Sequence, residues 1–246
     1  RPDQMENFKN VDPRWIDVEY DKGRHYTVPW QWGTLGVAVN TSVYKGDIDT
    51  WGILFNPPAE LKGKINVVPE MGDVMFLAVR YAGGEPCTGD KAILKKARDV
   101  LVAAKPNWLS MEYTTVDTMS KGDFKAGSDW NGAALRIRLK LPSVHFGFPK
   151  EGFPIFMDNA AILKDAKNVE NAKLFLNFIM EPENAAMLSA FARYANGIMG
   201  SEKYLPADMI NAPELTLPEG NKGQFVLACP PEVNELVTRI WTEIQK

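Results

Sequence analysis

YTVPWQWGTLGVAVN, residues 26–40, is the stretch from which the fold is read. Its Val, Trp and Thr content favours extended backbone, and Gly33 and Gly36 permit a bend or a close backbone approach. Trp30 and Trp32 lie two apart and so share one face of that strand. They serve as core aromatics or as a surface for a ligand; the pattern alone leaves both open.

Helical patterns follow this strand in alternation with short extended runs. GDVMFLAVRYAGG (72–84) places apolar residues three and four apart and predicts a helix ending at Gly83-Gly84. The stretch from Asp90 to Ala104 predicts an amphipathic helix stopped before Pro106. PPAELKG (57–63) predicts a short helix, and INVVPE (65–70) a short strand. YTTVDTMSKGD predicts a small helix and a turn at Gly122, and DFKAGSDWNGAALRIRLK (123–140) leads into a strand. Residues 168–192 predict two helices broken at Glu181-Pro182, the first with Asn168 as N-cap. Residues 205–224 read as loop, and 232–246 as a final amphipathic helix. Strands alternating with helices predict an α/β protein with mainly parallel or mixed sheets.

The composition is that of a globular chain: 246 residues, 45% hydrophobic and 24% charged, with a formal net charge of −3. No basic block suggests nucleic acid, and no apolar run is long enough to cross a bilayer. The opening RPDQMENFKN lacks an initiator Met and reads as a processed or truncated end, so a missing signal peptide says little about compartment. Cys87 and Cys229 show no metal spacing, and with His25 and His145 as the two histidines no metal site is expected. The two thiols are either bridged in an oxidising compartment or buried and unpaired.

No P-loop, dinucleotide fingerprint or nucleophile elbow occurs, and two isolated histidines read as structural. Three features remain. One is the aromatic run VPWQWG. A second is Glu70 and Asp73, three apart before a helix, where capping and dipole placement would suffice to explain both. The third is FPIFMDNAAIL (153–163), which sets Phe156 and Asp158 on one face and Met157 on the other. A carboxylate among such apolar neighbours is costly unless a cation or several donors meet it. Carboxylates beside aromatic faces, without a nucleophile or metal cluster, suit capture of an organic cation. Trp130 and Tyr194 fit the same box.

On these residues the sequence resembles the periplasmic spermidine/putrescine-binding proteins of bacterial polyamine importers. The resemblance rests on YTVPWQWGTLGVAVN, VVPEMGDVMFLAVRYAG, DWNGAA, PKEGFPIFMDNAAI, AKLFLNFIMEPENAAMLS and RYANG, in the family's order and spacing. It implies a two-lobed periplasmic binding protein type II fold, with mixed sheets flanked by helices and ligand held in an interlobe cleft. The implied lobes are 1–35 plus 154–205, partial, and 36–153 plus 206–246. The family's amino-terminal βαβ portion has no counterpart here, so the first lobe is expected to be incomplete.

Carried over residue by residue, the resemblance assigns Asp158 to an ammonium or secondary amine, with Phe156 flanking the ligand chain. It gives Glu70 and Asp73 a second amine, Trp130 the methylenes and Tyr194 the side of the cleft. Trp32 joins them as a ligand-facing aromatic. The function implied is non-catalytic capture of a polyamine for a membrane permease of an ABC importer, in the periplasm, without cofactor, metal or membrane insertion. Ala133 stands where some putrescine-preferring relatives carry an acid, which leans toward spermidine or another amine-containing solute such as an opine or amino-acid conjugate. Arg136 and Arg138 are candidates for a ligand carboxylate, although strand alternation points such charges into solvent. An enzyme using the acidic cleft is the less favoured alternative.

Overall fold

A computed structural model describes residues 1–246. In chain order the elements are β1 (Asp17–Val18), β2 (Asp21–Lys22), β3 (Thr27–Asn40), α1 (Gly52–Phe55), β4 (Ile65–Asn66), α2 (Met71–Tyr81), α3 (Lys91–Ala104) and α4 (Thr115–Lys121). Then come β5 (Ala126–Trp130), α5 (Asn131–Lys140), β6 (Val144–Gly147), β7 (Phe153–Ala161), α6 (Val169–Ile179), α7 (Pro182–Ala192), β8 (Gly223–Phe225) and α8 (Pro231–Gln245). The fold is mixed α/β: strands run in the order β4-β5-β3-β7-β8, with β6 also paired to β3.

The chain divides into two compact units, Arg1–Gly33 with Phe156–Leu215, and Thr34–Ile155 with Thr216–Lys246. It passes between them inside β3, inside β7 and at Leu215–Thr216. From sequence the third passage was expected near Pro206. The residues that follow belong instead to the first unit, where Asp208 pairs with Arg193 at 3.1 Å and Met209 and Ala212 are buried.

In the second unit β3 pairs antiparallel with β5, Leu35 opposite Trp130 and Val39 opposite Ala126. β4 adds to β5 in parallel, and the first residues of β7 pair in parallel with β8. The apolar core joins Val37 and Val39 to Leu77 of α2, Leu101 of α3 and Trp241 of α8. Two of its tryptophans are buried with their N–H groups bonded: Trp51 Nε1 donates to Gly152 O at 2.7 Å and Trp108 Nε1 to Leu54 O at 2.8 Å. α2 ends in a Schellman motif, Gly84 N donating to Val79 O and Gly83 N to Arg80 O, with Gly83 at φ +87. α3 starts at Asp90, whose carboxylate accepts from Ala92 N and Ile93 N.

The PKEG block is tied to α2 and to the loop before α1. Arg80 Nε donates to Glu151 O, and Lys150 pairs with Asp47 at 2.7 Å. Gly152 adopts φ +112, and a Cβ there would lie 2.7 Å from Arg80 Nε. Cys87 and Cys229 are bridged, resolving the choice that spacing left open.

Three local expectations are corrected. PPAELKG forms isolated turns, Leu61 N to Pro58 O and Lys64 N to Leu61 O. Leu61 is drawn fully into the core by these turns. Residues 131–140 are helix α5, not strand, so Arg136 and Arg138 do not alternate across a sheet. Residues 223–225 form strand β8, which begins inside the expected loop 205–224.

In the first unit a small core of Val11, Val28, Leu176, Ile179, Met180 and Ile198 holds α6 and α7 against the amino-terminal turns. Asn7 N donates to Asn177 Oδ1 and Asn7 Nδ2 to Asn177 O, tying those turns to α6. Asn168 precedes α6 without a side-chain cap bond. The buried Asp21 carboxylate accepts from His25 N, Tyr26 N, Thr27 N and Thr27 Oγ1, which folds the entry to β3 into a fixed turn.

Candidate functional site

Each unit carries part of the expected constellation. In the second unit it gathers at the N-terminus of α2. Glu70 is the residue before the helix, but neither acid caps it; the Glu70 carboxylate instead accepts from Tyr113 Oη at 3.1 Å. Asp73 lies in the first turn, where the helix dipole favours an anion, and accepts from the Trp130 side chain. The Tyr113 and Trp130 rings are parallel within 9°, centroids 6.4 Å apart. Two carboxylates and two stacked rings thus share one patch of this unit.

Burial pushes the Asp73 carboxyl up to about 6, helped by the neighbouring Glu70 charge and opposed by the Trp130 hydrogen bond. Behind it Asp129 is fully buried and pushed up to about 7, again by desolvation. Its Oδ1 accepts from Thr115 Oγ1 at 3.1 Å and from Trp130 N at 2.9 Å, while Oδ2 has no partner. Asp129 therefore fixes the backbone at which the Trp130 ring begins. Asn131 Oδ1 accepts from Thr34 N and Gly132 N and anchors the start of α5.

In the first unit Phe156 on β7 meets Tyr194 edge-on, centroids 5.8 Å apart. Two positions along the strand is Asp158. The residue as a whole is exposed, yet the packing around its carboxyl withdraws enough water to push its pKa above the ordinary carboxylate range. Neither Asp73 nor Asp158 owes any of its shift to a lysine or arginine, and Glu70 bonds a phenol. Trp32 differs from its companions. It is buried, its Nε1 donates to Asn196 O at 3.2 Å, and its ring packs 5.2 Å from Trp15. Its surface is used inside the fold, so it supports the wall behind β3 and is removed from the ligand-facing set.

Sequence reasoning missed Tyr113 and Asp129. Tyr113 sits 43 residues from Glu70 in a polar turn, with no periodicity to mark it. Asp129 lies in DWNG, where nothing in the sequence marks it as buried.

Asp73 and Asp129 hold protons in the folded protein that the unfolded chain has already released above about pH 4. Their contribution to stability therefore falls as pH rises from about 4 toward 6 and 7, the reverse of a salt-bridged carboxylate. Asp73→Asn is expected to gain stability over wild type across pH 4–6.5 in urea unfolding. A difference independent of pH would overturn this account of Asp73.

Comparison with known proteins adds independent findings. The family model described as bacterial extracellular solute-binding protein matches residues 2–216. The spermidine/putrescine-binding periplasmic protein 1 of Haemophilus influenzae is 31% identical over 210 residues, covering 85% of this chain and 58% of the relative. The spermidine/putrescine-binding periplasmic protein of Escherichia coli is 27% identical over 210 residues, covering 85% and 60%. This chain thus spans a little under two thirds of the length of these relatives. Among solved structures, a proposed spermidine/putrescine ABC transporter from Listeria monocytogenes matches with a TM-score of 0.90 at 28% identity, covering 98% of this chain and 75% of that one.

Proposed function

We propose, from the premise that this chain belongs to the bacterial extracellular solute-binding protein family, that it captures a polyamine of the spermidine/putrescine class in the periplasm for an ABC importer. One observation carries this reading. Glu70 and Asp73 bond the Tyr113 and Trp130 side chains, Asp158 lies two positions along β7 from Phe156, and no lysine or arginine neutralises any of the three. A flexible chain of ammonium groups and methylenes meets that demand. Ammonium groups take the carboxylates through charge-assisted hydrogen bonds, and methylenes lie along the ring faces.

Glu70 and Asp73 take one ammonium, with Tyr113 and Trp130 as its aromatic surround. Asp158 takes another, with Phe156 and Tyr194 beside it. The role is carriage rather than catalysis: these carboxylates bond phenol and indole donors, and no nucleophile–base pair adjoins them. The partner that receives the cargo is a membrane permease.

Thermal unfolding of this chain with spermidine, putrescine and N-acetylated spermidine tests the reading. Spermidine should raise the midpoint with concentration, and acetylation should reduce the effect. Because binding must displace the Asp73 proton below about pH 6, affinity at pH 5 should be roughly tenfold lower than at pH 7.5. Absence of a shift with any of the amines at either pH would overturn the proposal.

A further inference from the structure

Arg24 is the buried charge that the functional reading leaves unused. Its side chain is wholly withdrawn from solvent, at a residue with left-handed backbone, φ +53. Burying a guanidinium is expensive, and one that lacks a carboxylate partner must be repaid by hydrogen bonds. Asp21, the nearest acid in sequence, is occupied by three backbone N–H groups and the Thr27 hydroxyl. Arg24 turns elsewhere. Nε donates to Trp15 O at 2.6 Å and Nη1 to Thr27 Oγ1 at 2.9 Å. The remaining contacts go to β7: Nη1 to Asn159 Oδ1, and Nη2 to Met157 Sδ at 2.8 Å. The Tyr20 ring lies 5.7 Å from the guanidinium carbon, and Asn159 Nδ2 donates to Tyr20 Oη at 3.1 Å.

Met157 and Asn159 flank Asp158. Along a strand, neighbours point to opposite faces, so Arg24 grips both residues on the face away from the Asp158 carboxyl. Asn159 Nδ2 also donates back to Met157 O at 2.8 Å, closing a loop of hydrogen bonds around the Asp158 backbone. A rigid planar fork with several donors can hold two side chains at once, which an ammonium cannot. Desolvation holds the Arg24 pKa below the usual arginine value, while the shift at Asp158 arises from desolvation with no contribution from Arg24. Arg24 thus reaches Asp158 through backbone placement and not through its charge.

We propose that Arg24, acting through Met157 and Asn159, is the positioning residue that fixes Asp158 for an incoming ammonium group. This inference rests on the polyamine reading for its ligand, and on geometry alone for the clamp. Two variants separate the parts: Arg24→Met removes the fork, and Asn159→Ala removes one grip while leaving the buried arginine. The ligand-independent readout is the titration of the Asp158 carboxyl, followed by ¹³C NMR on the ligand-free full chain. Both variants should bring its midpoint down toward the ordinary aspartate range, as the loosened strand readmits water. An unchanged midpoint in Asn159→Ala, which should fold, overturns the clamp.

The second readout is spermidine affinity at a temperature where circular dichroism shows every variant folded. Asn159→Ala should weaken binding about tenfold in the wild-type background and have little effect when Asp158 is already Asn. An equal loss in both backgrounds would mark a merely structural role and also overturn the proposal. If the wild-type chain ignores spermidine, the functional reading fails, and the carboxyl titration still decides the role of Arg24.

Discussion

Asp158→Asn is expected to weaken spermidine binding about a hundredfold, the equivalent of ~2.7 kcal/mol and within the range for removing one partner of a desolvated charge pair. The substitution keeps shape and removes charge, so the β7 backbone has no reason to move. Its effect on the ligand-free protein should have the opposite sign. Packing already disfavours the ionised carboxyl, and an amide at that position removes a destabilising charge at neutral pH. Calorimetry and thermal unfolding on one preparation should therefore show weaker binding together with an unchanged or slightly raised midpoint. That combination identifies a group kept for its ligand at the expense of the fold. Affinity within twofold of wild type would remove Asp158 from the site, and a lowered midpoint would make it a structural residue.

Cleaving the Cys87–Cys229 bridge is expected to destabilise the second unit by about 2–5 kcal/mol, because it joins residues 142 apart and long loops restrict the unfolded chain most. The bond fastens the segment before α8 to the loop between α2 and α3, and α8 contributes Trp241 and Ile244 to the core. Urea unfolding of wild type should shift to lower denaturant on reduction, while a Cys87→Ala/Cys229→Ala variant should unfold early with or without reductant. A reduced protein that unfolds at the oxidised midpoint would show that α8 needs no tether. The bridge also bears on compartment, since it persists only where the surroundings are oxidising.

Much of this architecture was legible because its signals are local. The β3 stretch announces itself through β-branched and aromatic residues, α2 through its double-glycine end, and α8 through an apolar stripe. α5 was misread for a physical reason. ALRIRLK alternates polar and apolar residues as a strand would, but the helix begins directly at the end of β5 and buries Gly132 to Leu135 almost all round. It therefore shows no polar face to betray its period. β8 is three residues long between prolines, and its pairing with β7 is decided by a partner some seventy positions away.

The candidate site drew its residues from positions that look out of place in the sequence. Asp158 in an apolar run and Glu70 beside Asp73 were such cases, and the structure leaves all three without a basic partner. Trp32 looked equally exceptional and proved to be packing, because a tryptophan's fate depends on what covers its ring. Tyr113 carried no local oddity at all. It meets Glu70 through its hydroxyl and Trp130 through its ring, and both contacts are facts of tertiary structure.

The second unit is assembled from two separated stretches, 34–155 and 216–246, and this sets a timetable for its biosynthesis. While the intervening residues are still being added, α2 and α3 must wait with the apolar faces that α8 will cover, and Cys87 waits for Cys229. Vectorial emergence thus creates an interval in which a half-finished body carries both sticky surface and an oxidisable sulfur. Completion falls to residues 216–246, so a chain arrested just before them would be held in its most aggregation-prone form.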